Sequence, residues 1–154
     1  MFRLSVDLSD LASTNTLGQR IADTLGPRTA VALAGELGSG KTTLARSILR
    51  ALGVRERIPS PTFTLVQSYR AVRFTVSHFD LYRVENGREL AELAIEEALA
   101  EGPVLIEWPE LARTVLPRAS LDVALTLSES GCRAARLHGP VVPFASIDRR
   151  AHVG

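Results

Sequence analysis

Apolar residues fall in two rhythms along this chain, short runs of strand character and longer stretches in which they recur every three or four positions. Phe2 to Leu8 alternates apolar and polar residues and predicts a first strand. From Asp10 to Leu25, the residues Leu17, Ile21 and Leu25 fall four apart, which predicts an amphipathic helix closed by Gly26-Pro27. Thr29 to Ala34 is apolar after its first residue, as expected of a strand covered on both faces of a largely parallel sheet. Lys41 to Leu52 returns to helical spacing through Leu44, Ile48 and Leu52, and Gly53 stops it.

The prolines of Pro59-Ser60-Pro61-Thr62 lack the amide donor and restrict the residues before them, so this stretch is a loop. Phe63 to Tyr69 and Val72 to Phe79 are β-rich runs around a short turn and predict an antiparallel pair. Arg88 to Leu99 reads as one helix through Leu90, Leu93 and Ala94, ended by Gly102-Pro103. Val104-Leu105-Ile106 has the pattern of a buried strand and ends in Glu107. Leu121 to Leu127 and Arg133 to His138 predict a hairpin around Ser130-Gly131. The expected architecture is one α/β domain over residues 1–139, with a mixed, largely parallel central sheet flanked by helices. The weakly patterned tail, residues 140–154, is expected to be loose.

A length of 154 residues suits one core rather than two, and 45% hydrophobic with 23% charged residues is the balance of an ordinary globular protein. A formal charge of +1 provides no broad attraction for nucleic acid or an anionic membrane. Cys132 is the only cysteine, which excludes an internal disulfide and a cysteine-built zinc site. The N-terminus lacks the pattern of a signal peptide, and no run approaches the ~20 apolar residues of a membrane span. A cytoplasmic protein with no membrane contact is expected.

Gly35-Glu36-Leu37-Gly38-Ser39-Gly40-Lys41-Thr42 has the Walker A spacing, between a predicted strand and a predicted helix. Glycines let backbone amides turn toward phosphate oxygens, and the helix N-terminus adds a favourable partial charge. Lys41 is the chain's only lysine beside 17 arginines, so the loop holds a compact ammonium where every other basic position has a guanidinium. Gly38, Ser39, Gly40, Lys41, Thr42 and Thr43 are therefore the candidate phosphate-binding residues, with Lys41 reaching the β and γ phosphates and Thr42 offering its hydroxyl to Mg²⁺. Guanine selection by an Asn-Lys-x-Asp segment is ruled out by the absence of a second lysine. Leu127-Ser128-Glu129-Ser130-Gly131 departs from the transporter-type Leu-Ser-Gly-Gly-Gln signature and sits in a predicted turn. ATP or ADP with Mg²⁺ is the expected cofactor.

Such a loop needs a carboxylate at a strand end to order the metal's water shell or the attacking water. Two residues qualify, Glu107 and Asp80 of His78-Phe79-Asp80-Leu81-Tyr82-Arg83. Thr62, in the proline-stiffened loop, is a candidate γ-phosphate switch. His78 reads as a strand packing residue, and Trp108 as either core or a contact beside the site.

Four motifs in order, Gly-Glu-Leu-Gly-Ser-Gly-Lys-Thr-Thr at 35–43, Ser-Pro-Thr-Phe-Thr-Leu at 60–65, His-Phe-Asp-Leu-Tyr-Arg at 78–83 and Leu-Ile-Glu-Trp-Pro-Glu at 105–110, resemble the TsaE (YjeE) family. Thr14-x-x-Leu17-Gly18 is similar to that family's opening helix, and the likeness spans about residues 5–138. The resemblance implies a single P-loop NTPase domain, an ATPase working with TsaD and TsaB in the N6-threonylcarbamoylation of adenosine 37 in tRNA. TsaC would supply the activated threonylcarbamoyl group, and tRNA would be met through the complex. It also implies Thr42 and Glu107 as Mg²⁺ ligands, Lys41 as phosphate ligand, Asp80 in support of hydrolysis, Thr62 in a switch loop and Trp108 beside the nucleotide. Leu11 and Thr14 would wall the adenine side. The competing readings are a small-molecule kinase, with Arg83 or Arg88 on a lid, and a regulatory subunit whose hydrolysis is incidental.

Overall fold

The computed structural model describes residues 1–148. They form a seven-stranded sheet in the order β1-β7-β6-β2-β5-β4-β3. Its strands are β1 (Phe2–Asp7), β2 (Ala30–Ala34), β3 (Val66–Arg70), β4 (Thr75–Asp80), β5 (Val104–Glu107), β6 (Ser120–Leu127) and β7 (Arg133–Gly139). The four middle strands β6, β2, β5 and β4 run parallel, and the hairpins add antiparallel strands at both edges. The expected mixed sheet, parallel in its middle and flanked by helices, is what forms.

Alternation along the buried strands divides the core in two. Val31, Leu33, Leu105, Leu121 and Val123 face α1 (Leu11–Ala22) and α2 (Lys41–Ala51). Ala30, Phe79, Val104 and Ile106 face the opposite layer, built from α3 (Gly87–Glu92), α4 (Ile95–Glu101) and the 3₁₀ turn Pro109–Ala112. Asp10 starts α1 with a reciprocal capping box, accepting from the Ser13 amide at 2.8 Å while the Ser13 hydroxyl accepts from the Asp10 amide. Gly18 lies where α1 meets α2, and a Cβ there would sit 2.6 Å from that of Ser47.

Several expected boundaries are corrected, among them the start of β4, at Thr75 rather than Val72, because the Ala71 amide bonds Phe74 O at 2.9 Å and closes the turn first. Helix α1 ends at Ala22 rather than Leu25, because Thr24 and Leu25 bond back to the carbonyls three residues before them and tighten the chain. The single helix expected over Arg88–Leu99 is two, α3 and α4, separated at Ala94, whose φ of 58° is left-handed. Leu90 and Ile95 are five apart, so a straight helix would carry them to different faces; the break lets both reach the same core. Strand β3 starts at Val66 rather than Phe63, since the Leu65 amide bonds Pro61 O at 2.7 Å and closes a turn first. The chain from Pro140 is not loose as far as Asp148: it turns through Val141–Phe144 and Ala145–Ile147, and Phe144 and Ile147 are fully buried in the α1–α2 core. The rest of that expectation, residues 149–154, lies outside the described residues.

Candidate functional site

Parallel pairing brings the site together. Strand β5 lies between β2 and β4, with Glu107 in register with Leu33 on one side and Asp80 on the other. Both acids thus stand at the C-terminal edge of the parallel strands, where β2 runs into the glycine-rich loop. Both are buried.

The loop is held by backbone geometry that only glycine adopts cheaply. At Gly35, with φ 145°, a Cβ would lie 2.5 Å from Leu125 O and 2.6 Å from Ser39 Oγ. Gly40 caps α2 with φ 106° and no side chain on the helix amides, which leaves that N-terminus free for an anion. Lys41 Nζ donates to the carbonyls of Gly35 at 2.6 Å and Glu36 at 2.9 Å. The same ammonium lies 4.1 Å from the centre of the Trp108 ring, a cation–π contact. Burial lowers the Lys41 pKa from its ordinary value, and the charges of Glu107, Asp80 and Glu110 oppose the shift without cancelling it.

Thr42 and Glu107 meet across the sheet edge: the Thr42 hydroxyl donates to Glu107 Oε1 at 2.8 Å. The other oxygen, Oε2, lies 2.7 Å from Nε2 of the buried His78. Asp80 accepts from the Tyr82 amide at 3.0 Å and from the Thr62 hydroxyl at 3.2 Å. Ser60 and Thr62 share a hydrogen bond of 2.8 Å, so the proline-bounded loop arrives at the acid already braced.

Gly38, Gly40, Lys41, Thr42, Thr43, Thr62, Asp80, Glu107 and Trp108 line one open cleft of ≈ 270 Å³. Leu11 and Ser39 are not in it. They line a smaller, adjoining cleft of ≈ 140 Å³ with Thr14, and the two clefts share Gly40, Thr43 and Arg133. Ser39 Oγ is buried without a hydrogen-bond partner among the described residues. Trp108 combines the two roles open to it: the half-buried ring packs against the α3–α4 side of the core, and it also covers Lys41 and lies 4.9 Å from the Tyr82 ring. Arg83 stacks 4.6 Å from the ring of the exposed Phe63.

Sequence reasoning missed Arg133, which reaches from the start of β7 to donate to Gly38 O at 3.3 Å. It also gave His78 a packing role that omits the bond to Glu107. No local signal marks either contact, because 95 residues separate Arg133 from Gly38 and 29 separate His78 from Glu107.

Among the described residues no group of three or more His, Cys, Asp and Glu could hold a metal ion on its own. The donor set nonetheless fits Mg²⁺ shared with phosphates. This hard cation takes one or two protein oxygens and fills its shell with water and phosphate oxygens. By donating its hydrogen to Glu107, the Thr42 hydroxyl keeps its lone pairs for a cation.

Sheet order, loop and strand-end acids together define a P-loop NTPase fold. A family model described as "Threonylcarbamoyl adenosine biosynthesis protein TsaE" matches residues 8–135. The chain belongs to the TsaE family. A Rickettsia bellii protein named tRNA threonylcarbamoyladenosine biosynthesis protein TsaE is 38% identical over 131 residues, covering 84% of this chain and 91% of that one. A Nostoc protein of the same name is 37% identical over 135 residues, covering 84% and 82%. In fold, the chain is similar to the crystal structure of Bacillus subtilis YdiB, with a TM-score of 0.73 at 23% identity, over 88% of this chain and 84% of that one.

Proposed function

We propose that this protein binds ATP with Mg²⁺ and hydrolyses it to ADP and phosphate as the ATPase of tRNA N6-threonylcarbamoyladenosine synthesis at position 37, acting in the cytoplasm on a TsaB–TsaD complex. The observation that carries the reading is the convergence of Lys41, Thr42, Thr62, Asp80 and Glu107 on one cleft beside an uncapped helix N-terminus. The pathway is supported by the names of relatives that align with most of the chain. No helix among the described residues is long and apolar enough to cross a membrane.

Phosphoryl transfer to water asks the protein for position and charge more than for covalent chemistry. The amides at the start of α2 receive the phosphates, and the Lys41 ammonium turns from the Gly35 and Glu36 carbonyls to the β and γ oxygens. Mg²⁺, when bound, neutralises charge developing between those phosphates. Thr42 and Glu107 hold its side of the site. Asp80 keeps an acceptor at the γ-phosphate end, where it orients the attacking water, and Thr62 joins loop 60–65 to that acid. Leu11 and Thr14 wall the adenine in the adjoining cleft. Contact with tRNA is made through the partner proteins.

The test is reconstitution. The chain is mixed with TsaB, TsaD, TsaC, ATP, threonine, bicarbonate and unmodified tRNA, and modified adenosine is followed over repeated turnovers. Sustained modification that requires this protein is the expected result. Undiminished modification without it would remove the pathway assignment, and phosphate transfer to a small acceptor would make the protein a kinase.

A further inference from the structure

His78 is a fully buried ring on β4, in register with Leu105 of β5 and Gln67 of β3. Strand parity puts it on the same sheet face as Asp80, two residues on, and as Glu107, the face that α2 covers. An ionised carboxylate only accepts hydrogen bonds, so the hydrogen shared at 2.7 Å with Glu107 Oε2 belongs to His78 Nε2. The other ring nitrogen, Nδ1, has no hydrogen-bond partner among the described residues. Packing alone would be better served by an apolar residue, since a buried polar atom without a partner costs stability. What the position retains in exchange is one bond, the bond to Glu107.

That bond completes a chain from Thr42 through Glu107 to His78, with each carboxylate oxygen committed to a different partner. Resting on the reading of the cleft as a Mg²⁺–nucleotide site, we propose that His78 is the positioning residue of that site. It fixes the Glu107 rotamer, so that Oε1 draws the Thr42 hydrogen and the hydroxyl's lone pairs stay turned toward the cation. Without His78, Oε2 is a buried, unpaired charge, and the carboxylate swings toward the Lys41 ammonium, which already feels its field. The hydroxyl of Thr42 is then free to rotate. Partners of this kind, one bond removed from a metal, typically change metal affinity by about 10- to 100-fold when removed.

The test compares His78→Gln with His78→Asn. A glutamine amide nitrogen reaches the place of Nε2, whereas an asparagine amide reaches only that of Nδ1, and both bury a neutral amide. With ADP present, Mg²⁺ is titrated and binding is read from the fluorescence of Trp108, the only tryptophan. His78→Asn is expected to weaken Mg²⁺ binding by about 10- to 100-fold and His78→Gln to restore most of it. Metal-free ADP binding should stay native in both. Equal Mg²⁺ affinity in Asn, Gln and native proteins would overturn the proposal, as would an equal loss of metal-free ADP binding in the two variants. On the unsubstituted protein, imidazole nitrogen NMR should place the hydrogen of His78 on Nε2, and a hydrogen on Nδ1 alone would overturn it independently of folding. Failure of the native protein to bind ADP would instead defeat the nucleotide reading itself.

Discussion

The Thr62 hydroxyl donates to the Asp80 carboxylate across 3.2 Å, tying loop 60–65 to the end of β4. The other Asp80 oxygen is held by the Tyr82 amide, so the carboxylate is fixed at both ends. In the role proposed for Asp80, a carboxylate that takes a proton from the water it orients contributes about 10²- to 10⁴-fold. Asp80→Asn should therefore slow phosphate release from ATP by that order, with the partner proteins present, while ADP affinity stays near native. Thr62→Val removes one bond to a charged group, an effect of about 1.5–3 kcal/mol, and should slow turnover less. Full activity in both variants would detach this loop from hydrolysis.

Gly18 is where α1 and α2 approach most tightly on a glycine, with Ser47 backbone 3.0 Å from where a Cβ would sit. Alanine has the better helix propensity by about 1 kcal/mol, yet overpacking a close contact costs about 1–3 kcal/mol. Because the obstacle includes backbone, the second effect wins. Gly18→Ala is expected to destabilise by up to about 2 kcal/mol, read as a lower urea midpoint at unchanged slope.

Phe144 is fully buried in the α1–α2 core although it lies past the last strand. Phe144→Ala should cost about 3–5 kcal/mol, measured by urea unfolding. A loss below about 1 kcal/mol would mean that the segment after β7 does not pack into this core.

What the sequence made legible was local. The β2–loop–α2 unit could be read because strand, glycines, lysine and helix are contiguous, and the strand-end acids because each closes an apolar run. The α3–α4 break was not readable, since Leu93-Ala94-Ile95 carries neither glycine nor proline and only the shared core of Leu90 and Ile95 requires the turn. Phe144 and Ile147 belong to a stretch too short for periodicity, so their burial was invisible. Residue types nominated Glu107, but its two partners depend on strand register and helix placement that no spacing encodes.

Lys41 gives the site a pH dependence. Burial lowers its pKa from 10.5, and phosphate binds the protonated form. Nucleotide affinity should therefore be constant at neutral pH and fall as pH rises through the lowered pKa of the free protein, before an ordinary lysine would respond. Titrations from neutral pH upward should show this decline in the native protein and not in Lys41→Ala. An affinity constant up to pH 10.5 would contradict a Lys41 pKa lowered by burial.

The cleft over Lys41, Thr42 and Glu107 stands or falls as a Mg²⁺–nucleotide site, and calorimetric titration of ATP with Mg²⁺ tests it most directly. Saturable one-to-one binding to the native protein, weakened by at least about tenfold in Lys41→Ala through loss of a charge-assisted phosphate contact, is the predicted result. Equal affinity in the two proteins would contradict it.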